Sequence, residues 1–445
     1  MISSDSVVRN CVASVSSKSP DIRTSLETRF GETLERVTKS VEQNPDLLVA
    51  LSGGVDSVVL LSLAVRLKNQ DRCNVRAVYV DHGLQAQSGE WGNRCATLCE
   101  SLAINFERLA VDVDLRSGLS PEAAARDARY SAMKGMLQPG EYLSTAHHAD
   151  DQAETLLLQL FRGAGTAGLA AMPQLREFGH GYLLRPLLQV SRAEIIEYAE
   201  QCHLSWCDDP SNADLRFDRN YLRHELLPMI EKRWPRVTQS IARSAAHCAE
   251  ALSLTGELAT LDSLSQNSQK QMSVQLLQSL SSVRQRNLLR HWISRQGFQT
   301  PSTAQLLQLQ NDLVAKEDGQ GCVSFGAAAV ARYQDHLYLA SRDAFEPLHD
   351  FEYQWSQSHV PLHIEELDWQ LDAAARANLR PFIGKPLLVR NRRGGERWRP
   401  DPAGQSTSVK SLLQHRRVPP WLRSRILFVF HDQVLIDVCG PEFEL

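Results

Sequence analysis

The chain has 445 residues, 43% hydrophobic and 22% charged, with 48 Lys/Arg against 52 Asp/Glu and a formal net charge of −4. At roughly 150 residues per domain this predicts about three domains, each able to bury a core. A uniformly basic nucleic-acid coat is excluded, and so is a membrane span: the longest apolar run, 58–65, contains Ser62 and falls short of the roughly 18 residues required.

Residues 1–44 read as a leader, with seven Ser among the first 20 positions and no apolar signal-peptide core. A buried strand follows over 47–52, bounded by Pro45 and Gly53, then a helix over 57–68. A strand at 75–80, a helix at 88–104 and a strand at 105–111 come next. Ser120-Pro121-Glu122 opens a further helix, with Ser as the cap and Pro at the first helical position. A strand at 142–146 and a helix at 149–162 complete the alternation. Strands and helices alternating at this spacing predict an α/β fold, a doubly wound parallel sheet over residues 45–235. Ligands of such sheets bind beyond the carboxyl ends of the strands. From 236 to 344 the Ser-, Gln-, Leu- and Ala-rich pattern predicts a mainly helical middle domain, with strands at 322–331 and 336–340. Residues 345–445 predict a small α+β domain, acidic at first and basic over 376–425. Nine cysteines with no Cys-x-x-Cys spacing argue against a disulfide framework, a zinc ribbon or an iron–sulfur cluster. A reducing compartment fits, and with no targeting address readable the expected location is the cytoplasm.

Between the first strand and helix lies Ser52-Gly53-Gly54-Val55-Asp56-Ser57. Its glycines let backbone N–H groups converge on phosphate oxygens at a helix N-terminus. Asp56 repels a phosphate directly and makes sense with Mg²⁺ between the two. The Lys of a Walker loop is missing. The loop resembles the pyrophosphatase loop of the N-type ATP pyrophosphatases, and this resemblance implies ATP cleavage between the α and β phosphates.

Four further segments refine the reading. Val80-Asp81-His82-Gly83-Leu84 ends the second strand. Thr145 to Thr155 reads TAHHADDQAET, with Asp151 and Glu154 on one helical face and His147 one turn earlier. Such carboxylates suit a cation, or simply a helix N-terminus, and zinc spacing of the His-Glu-x-x-His kind is absent. Arg126 and Arg129 share a face and suit bidentate phosphate contacts or acidic partners. Arg162 to Leu169 (RGAGTAGL) reads as a lid or a turn. Asp208-Asp209-Pro210-Ser211-Asn212 precedes a helix carrying Arg219 and Arg223 at i, i+4.

In this order the segments resemble the tRNA(Ile)-lysidine synthetase family, from about Leu47 to Trp234 and again at 393–397 and 418–423. The long leader departs from the family's usual pattern. The resemblance implies a ligase using ATP and Mg²⁺ to join free L-lysine to C2 of the wobble cytidine of an isoleucine tRNA with a CAU anticodon, through an adenylated cytidine. It places His147, Asp151 and Glu154 in the active site. Ser52, Gly53, Gly54, Val55, Asp56 and Ser57 would hold the pyrophosphate, and Asp56 and Asp151 the metal. Arg126 and Arg129 are expected on the α-phosphate, and Arg219 and Arg223 on phosphate or RNA.

The basic stretch 376–425 holds thirteen Lys/Arg against Glu396 and Asp401 only, a local net of +11. Trp398 and Trp421 are interleaved. So one-sided a run predicts an RNA phosphate track, with Arg392, Arg393, Arg397, Arg416, Arg417 and Arg423 as its contacts. Another adenylating tRNA modifier, such as a thiolase, and a non-catalytic RNA-binding protein on the same fold are the alternatives.

Overall fold

Short apolar runs punctuated by glycine and proline become the strands of the structure, a computed structural model. It describes residues 21–38, 44–81, 83, 87–113, 121–207, 214–264, 270–315, 321–399, 406–441 and 443–444. The chain forms two units, Met1–Leu254 and Thr255–Leu445, and no described helix is long and apolar enough to cross a membrane.

In the first unit the order is α1 (Ile22–Thr38), β1 (Asp46–Ala50), α2 (Val55–Asn69), β2 (Asn74–Asp81), α3 (Ser88–Ser101), β3 (Asn105–Ala110), α4 (Pro121–Met136), β4 (Tyr142–Ser144) and α5 (Ala149–Phe161). There follow α6 (Thr166–Leu169), β5 (Leu175–Phe178), β6 (Gly181–Leu184), α7 (Arg192–Gln201), α8 (Asp218–Tyr221) and α9 (Leu227–Arg233), and α10 (Val237–Asp262) runs from this unit into the second. The sheet order is β3-β2-β1-β4-β6-β5. All neighbours are parallel except β5 and β6. Successive residues of β1 serve opposite faces: Leu47 and Val49 join one apolar cluster, and Leu48 joins another with Met133 and Leu137 around α4. Burial on both faces is why these strands read as unbroken apolar runs. The chain leaves β1 for β2 on one side and returns to β4 on the other. The crevice at the carboxyl ends of β1 and β4 is therefore the switch point where ligands bind.

The stretch expected as a leader holds a core helix. In α1, Leu26, Phe30 and Leu34 lie in the same cluster as β1 and α2, and Arg29 pairs with Glu194 of α7 at 2.7 Å. The first 20 residues of the expected leader lie outside the described residues. Glu194 also accepts from the N–H and hydroxyl of Ser191, at 2.8 and 2.7 Å, closing a capping box. Burial pushes its carboxyl up, but Ser191 and Arg29 outweigh burial and hold it below the ordinary glutamate range. A carboxylate whose pKa falls on folding stabilises the native state above its unfolded pKa and loses that contribution as pH drops through the folded value. Glu194→Gln is thus expected to cost about 1 kcal/mol at pH 7. Urea titrations at several pH values should show the gap to wild type closing below about pH 4; a gap independent of pH would refute the assignment.

In the second unit helices at Val274–Ser279, Ser282–Arg295 and Thr303–Leu309 accompany a four-stranded sheet. Its strands β7 (Gln271–Ser273), β8 (Gly321–Phe325), β9 (Ala328–Tyr333) and β10 (His336–Ser341) run in the order β7-β10-β9-β8. The single strand expected over 322–331 is a hairpin, because Gly326 turns the chain at φ +53°. A five-stranded antiparallel sheet, built from 352–355, 387–391, 427–431, 434–440 and 443–444, forms the C-terminal part.

Candidate active site

The loop after β1 is set by hydrogen bonds within the motif. The Ser57 hydroxyl donates to the Gly54 carbonyl at 2.9 Å and accepts from the Ser52 N–H at 3.1 Å. Gly53 sits at φ +86°, and a Cβ there would meet the Cys95 sulfur at 3.4 Å. On its other side the Cys207 N–H donates to the Gly53 carbonyl at 2.8 Å. No side chain caps the N-terminus of α2, so its first N–H groups are available to an anion. All six residues named from the sequence share this turn.

Beside it, at the start of α5, three carboxylates surround one imidazole. His148 is buried, with Nε2 at 3.4 Å from Asp151 and 3.9 Å from Asp56, and Nδ1 at 3.5 Å from Asp150. Burial opposes its charging, but Asp151, Asp150 and Asp56 outweigh burial and raise its pKa above the usual imidazole value. Asp151 is buried, which opposes its ionisation. His148, His147, Arg223 and Arg219 nonetheless hold it below the ordinary range. Asp56 is pushed the other way, by burial first and by the charge of Asp151 as well, against the pull of His148. Its Oδ1 is buried with no hydrogen-bond partner. An ionisable oxygen left without a donor beside a second carboxylate suits a divalent cation. No cluster of three or more His, Cys, Asp or Glu with metal-site geometry occurs among the described residues. Two carboxylates completed by substrate phosphates are the usual Mg²⁺ arrangement.

His147 has different surroundings. Its Nδ1 lies 2.9 Å from the Thr145 hydroxyl. Burial, joined by Arg185, Arg126 and Arg219 and opposed by Asp151, lowers its pKa to about 3. The ring is neutral at physiological pH, so one nitrogen carries a proton and donates while the other accepts a hydrogen bond. With Arg126, Arg129, Tyr130 and Trp91 it lines a cavity of about 220 Å³ reaching Leu51 and Ser52 of the loop and Val80 of β2. Arg126 lies over the Tyr130 ring, 5.5 Å from its centroid.

Glu154 is fully buried in a cationic grip. Arg223 holds it with two hydrogen bonds, of 2.7 and 3.1 Å, and Arg219 lies 3.2 Å from it. Arg223 also donates to Asp151 at 3.0 Å, and Arg219 to the Thr155 hydroxyl at 2.8 Å. Burial nevertheless raises the Glu154 carboxyl above its ordinary range. Arg219 and Arg223, expected on phosphate or RNA, therefore serve the carboxylates of α5. Their i, i+4 spacing was legible, but it does not tell which surface the shared face meets. Arg223 lies in a π-helical turn, Leu222–Leu226, in which the Leu227 N–H reaches the Leu222 carbonyl. Pro228 has no N–H to offer the His224 carbonyl, and this shifts the register.

His148 and Arg185 were not singled out from the sequence, and Asp150 only for its place four residues before Glu154. For His148 the available signal was its place just before a helix that opens Ala-Asp-Asp. Thr166–Leu169 of the expected lid is a single helical turn. Ser120, His82, Leu84 and 208–213 lie outside the described residues.

In the second unit the basic stretch is partly self-neutralised. Arg376 pairs with buried Asp437, Arg390 with Glu396, and Arg393 with Glu352. Arg397 donates to the Ser406 carbonyl and hydroxyl, and Arg423 to the Val418 carbonyl and the Tyr333 hydroxyl. Arg392 is half-buried, and Trp398 is a core residue at 5% exposure. Arg416 and Arg417 are exposed on the rim of an 820 Å³ groove, with Lys270 and Arg425, over walls that include Tyr338, Phe345 and Trp421. Of the six arginines expected on a phosphate track, Arg416 and Arg417 line this groove.

A glycine loop leading into an uncapped helix at the sheet's switch point, flanked by guanidiniums and carboxylates, defines a PP-loop, ATP-using enzyme. Residues 24–230 match the family model described as PP-loop domain. Residues 272–338 match the TilS substrate binding domain and 387–442 the TilS substrate C-terminal domain. The tRNA(Ile)-lysidine synthase of Coxiella burnetii is 38% identical over 92% of this chain and 92% of its own length. That of Methylococcus capsulatus is 38% identical over 89% and 91%, and that of Pectobacterium atrosepticum 37% over 92% and 93%. The chain belongs to the tRNA(Ile)-lysidine synthase family.

Proposed function

We propose that the protein joins the ε-amine of free L-lysine to C2 of the wobble cytidine of an isoleucine tRNA with a CAU anticodon. ATP is converted to AMP and pyrophosphate, and decoding moves from AUG to AUA. The observation that carries this reading is the division of the crevice into two walls. A cationic side, Arg126 and Arg129 with the neutral His147 and the α2 N-terminus, suits a nucleotide. An anionic side, Asp56, Asp150 and Asp151 around His148, suits cations.

In the first step the cytidine O2 attacks the α-phosphorus and pyrophosphate leaves into the Ser52–Ser57 loop, whose N–H groups stabilise its charge. Asp56 and Asp151 would hold Mg²⁺, which when bound neutralises phosphate charge. In the second step the lysine amine, neutral when it attacks, displaces AMP from C2. His147 orients the reacting groups as a hydrogen-bond acceptor, because its lowered pKa leaves it unprotonated. Glu154, with its oxygens held by Arg223 and Arg219, places those guanidiniums. The site then works in the protein's reducing, cytoplasmic setting.

Incubation with ATP, Mg²⁺, labelled lysine and total tRNA tests the reading. Lysine-dependent label in tRNA with matching AMP release is expected; turnover with a sulfur donor alone would instead select the thiolase alternative.

The rim of the aromatic groove is the proposed contact with the tRNA backbone. Arg416→Ala with Arg417→Ala is expected to weaken tRNA binding roughly tenfold at low salt and to reduce the salt slope by about 2. ATP affinity should be unchanged. Equal tRNA affinity of variant and wild type at every salt concentration would exclude the groove.

A further inference from the structure

Arg185 follows β6 directly, at the carboxyl edge of the sheet, where the Thr145 N–H donates to the Leu184 carbonyl at 3.0 Å. It is only 4% exposed. One terminal nitrogen donates to the Pro173 carbonyl at 2.8 Å, while its Nε is buried with no hydrogen-bond partner. No ion pair joins it to a carboxylate among the described residues. Burial opposes its charge first; Tyr130 favours that charge, and the like charges of Arg176 and Arg126 oppose it. This environment differs from that of the half-buried Arg223, which has two carboxylates.

A buried guanidinium without a counter-ion is costly to fold around. A carbonyl and a hydroxyl satisfy part of its fork and leave its charge uncompensated. The groups beyond it form the wall of the 220 Å³ cavity: Arg126, Arg129, Tyr130 and His147. All the charge on that wall is positive, and Arg185 and Arg126 both act to keep His147 unprotonated. Fixed positive charge concentrated on one wall of a cavity is what an entering anion neutralises. In a low-dielectric site its effect reaches beyond direct contact.

We propose that Arg185 is a positioning residue for the nucleotide phosphate. Seated behind Tyr130 and Arg126, it supplies a positive charge that the protein leaves unpaired and that the phosphate of an adenine nucleotide completes. The proposal rests on the nucleotide-using reading above and adds a residue that lies in none of the sequence motifs. It also predicts which part of the ligand feels the residue: the phosphate, not the nucleoside.

The test compares adenosine, AMP and ATP as ligands of the full-length protein by calorimetry. Arg185→Met is expected to weaken AMP and ATP about tenfold while leaving adenosine affinity within a factor of about two. Arg185→Lys, which keeps the charge, should retain most of the preference for AMP over adenosine. Equal weakening of adenosine and AMP would mean that Arg185 only supports the fold, and unchanged AMP affinity would remove it from the phosphate site. If Arg185→Met does not fold, Arg185→Lys decides: a folded protein that has lost its AMP preference overturns the proposal. A wild-type protein that binds no adenine nucleotide would overturn the nucleotide reading with it. Normal wild-type binding with an indifferent variant would overturn the role of Arg185 alone.

Discussion

Asp151→Ala is expected to lower tRNA-dependent pyrophosphate release by roughly 10³-fold, about 4 kcal/mol of transition-state stabilisation. Asp151 joins three parts of the site. It accepts from the His148 N–H at 3.1 Å at the start of α5, faces the His148 ring, and receives Arg223. Removing it takes away a proposed metal ligand and one of the three carboxylates that raise the pKa of His148. Asp151→Asn keeps the shape and loses the charge. If charge is what matters, the two variants should be equally slow in single-turnover assays with ATP and tRNA. Wild-type rates in either variant would show that the metal assignment is wrong. ATP binding measured without Mg²⁺ should change far less than the rate, because the phosphate loop is untouched.

The second large effect is on stability. Glu154→Ala removes the carboxylate held by Arg223 and Arg219 and leaves two largely buried guanidiniums without it. The expected loss is about 3 kcal/mol, at the lower end for a broken buried pair because the arginine side chains are partly solvated. Denaturant titration measures it directly. Combining Glu154→Gln with Arg223→Met should recover part of the loss by removing the orphaned charge. Unchanged stability in Glu154→Ala would mean that the grip seen in the structure contributes nothing. Recovery of stability without activity would separate the architectural role of the pair from any chemistry.

These residues also show where the sequence was readable. The strands and helices from Asp46 to Phe161 follow the expected order, because sheet burial on both faces leaves apolar runs that Gly and Pro punctuate. The phosphate loop was legible for a related reason: its glycines and hydroxyls make the turn with local partners. Helix α1 was masked by its neighbourhood. Leu26, Phe30 and Leu34 recur at i, i+4, i+8, a core-facing stripe, but follow a Ser-rich stretch that reads as an unstructured tail. Strand β7 is three residues long, too short for a periodicity. Arg219 and Arg223 depended on Glu154 and Asp151, more than 60 positions away in sequence, and Arg185 on Tyr130 of another helix, which spacing along one element cannot reveal. The C-terminal count of +11 was correct as a count. Pairing with Asp437, Glu396 and Glu352 decides how much of it faces outward, and two of these acids, Glu352 and Asp437, lie outside the counted stretch.

The π turn at Leu222–Leu226 makes the number of residues there as important as their identity. Each α-helical residue rotates the chain by about 100°, so deleting one residue between Leu222 and Leu226 would restore ordinary winding and swing everything before it by that angle. Arg219 would then leave α5 if buried Leu227 kept its place, or Leu227 would leave the interior if Arg219 stayed. Exposed positions in the turn, such as Glu225, are free to drift in side chain, whereas the length of the segment is not. Related sequences should therefore vary at these sites by substitution and show no gaps there.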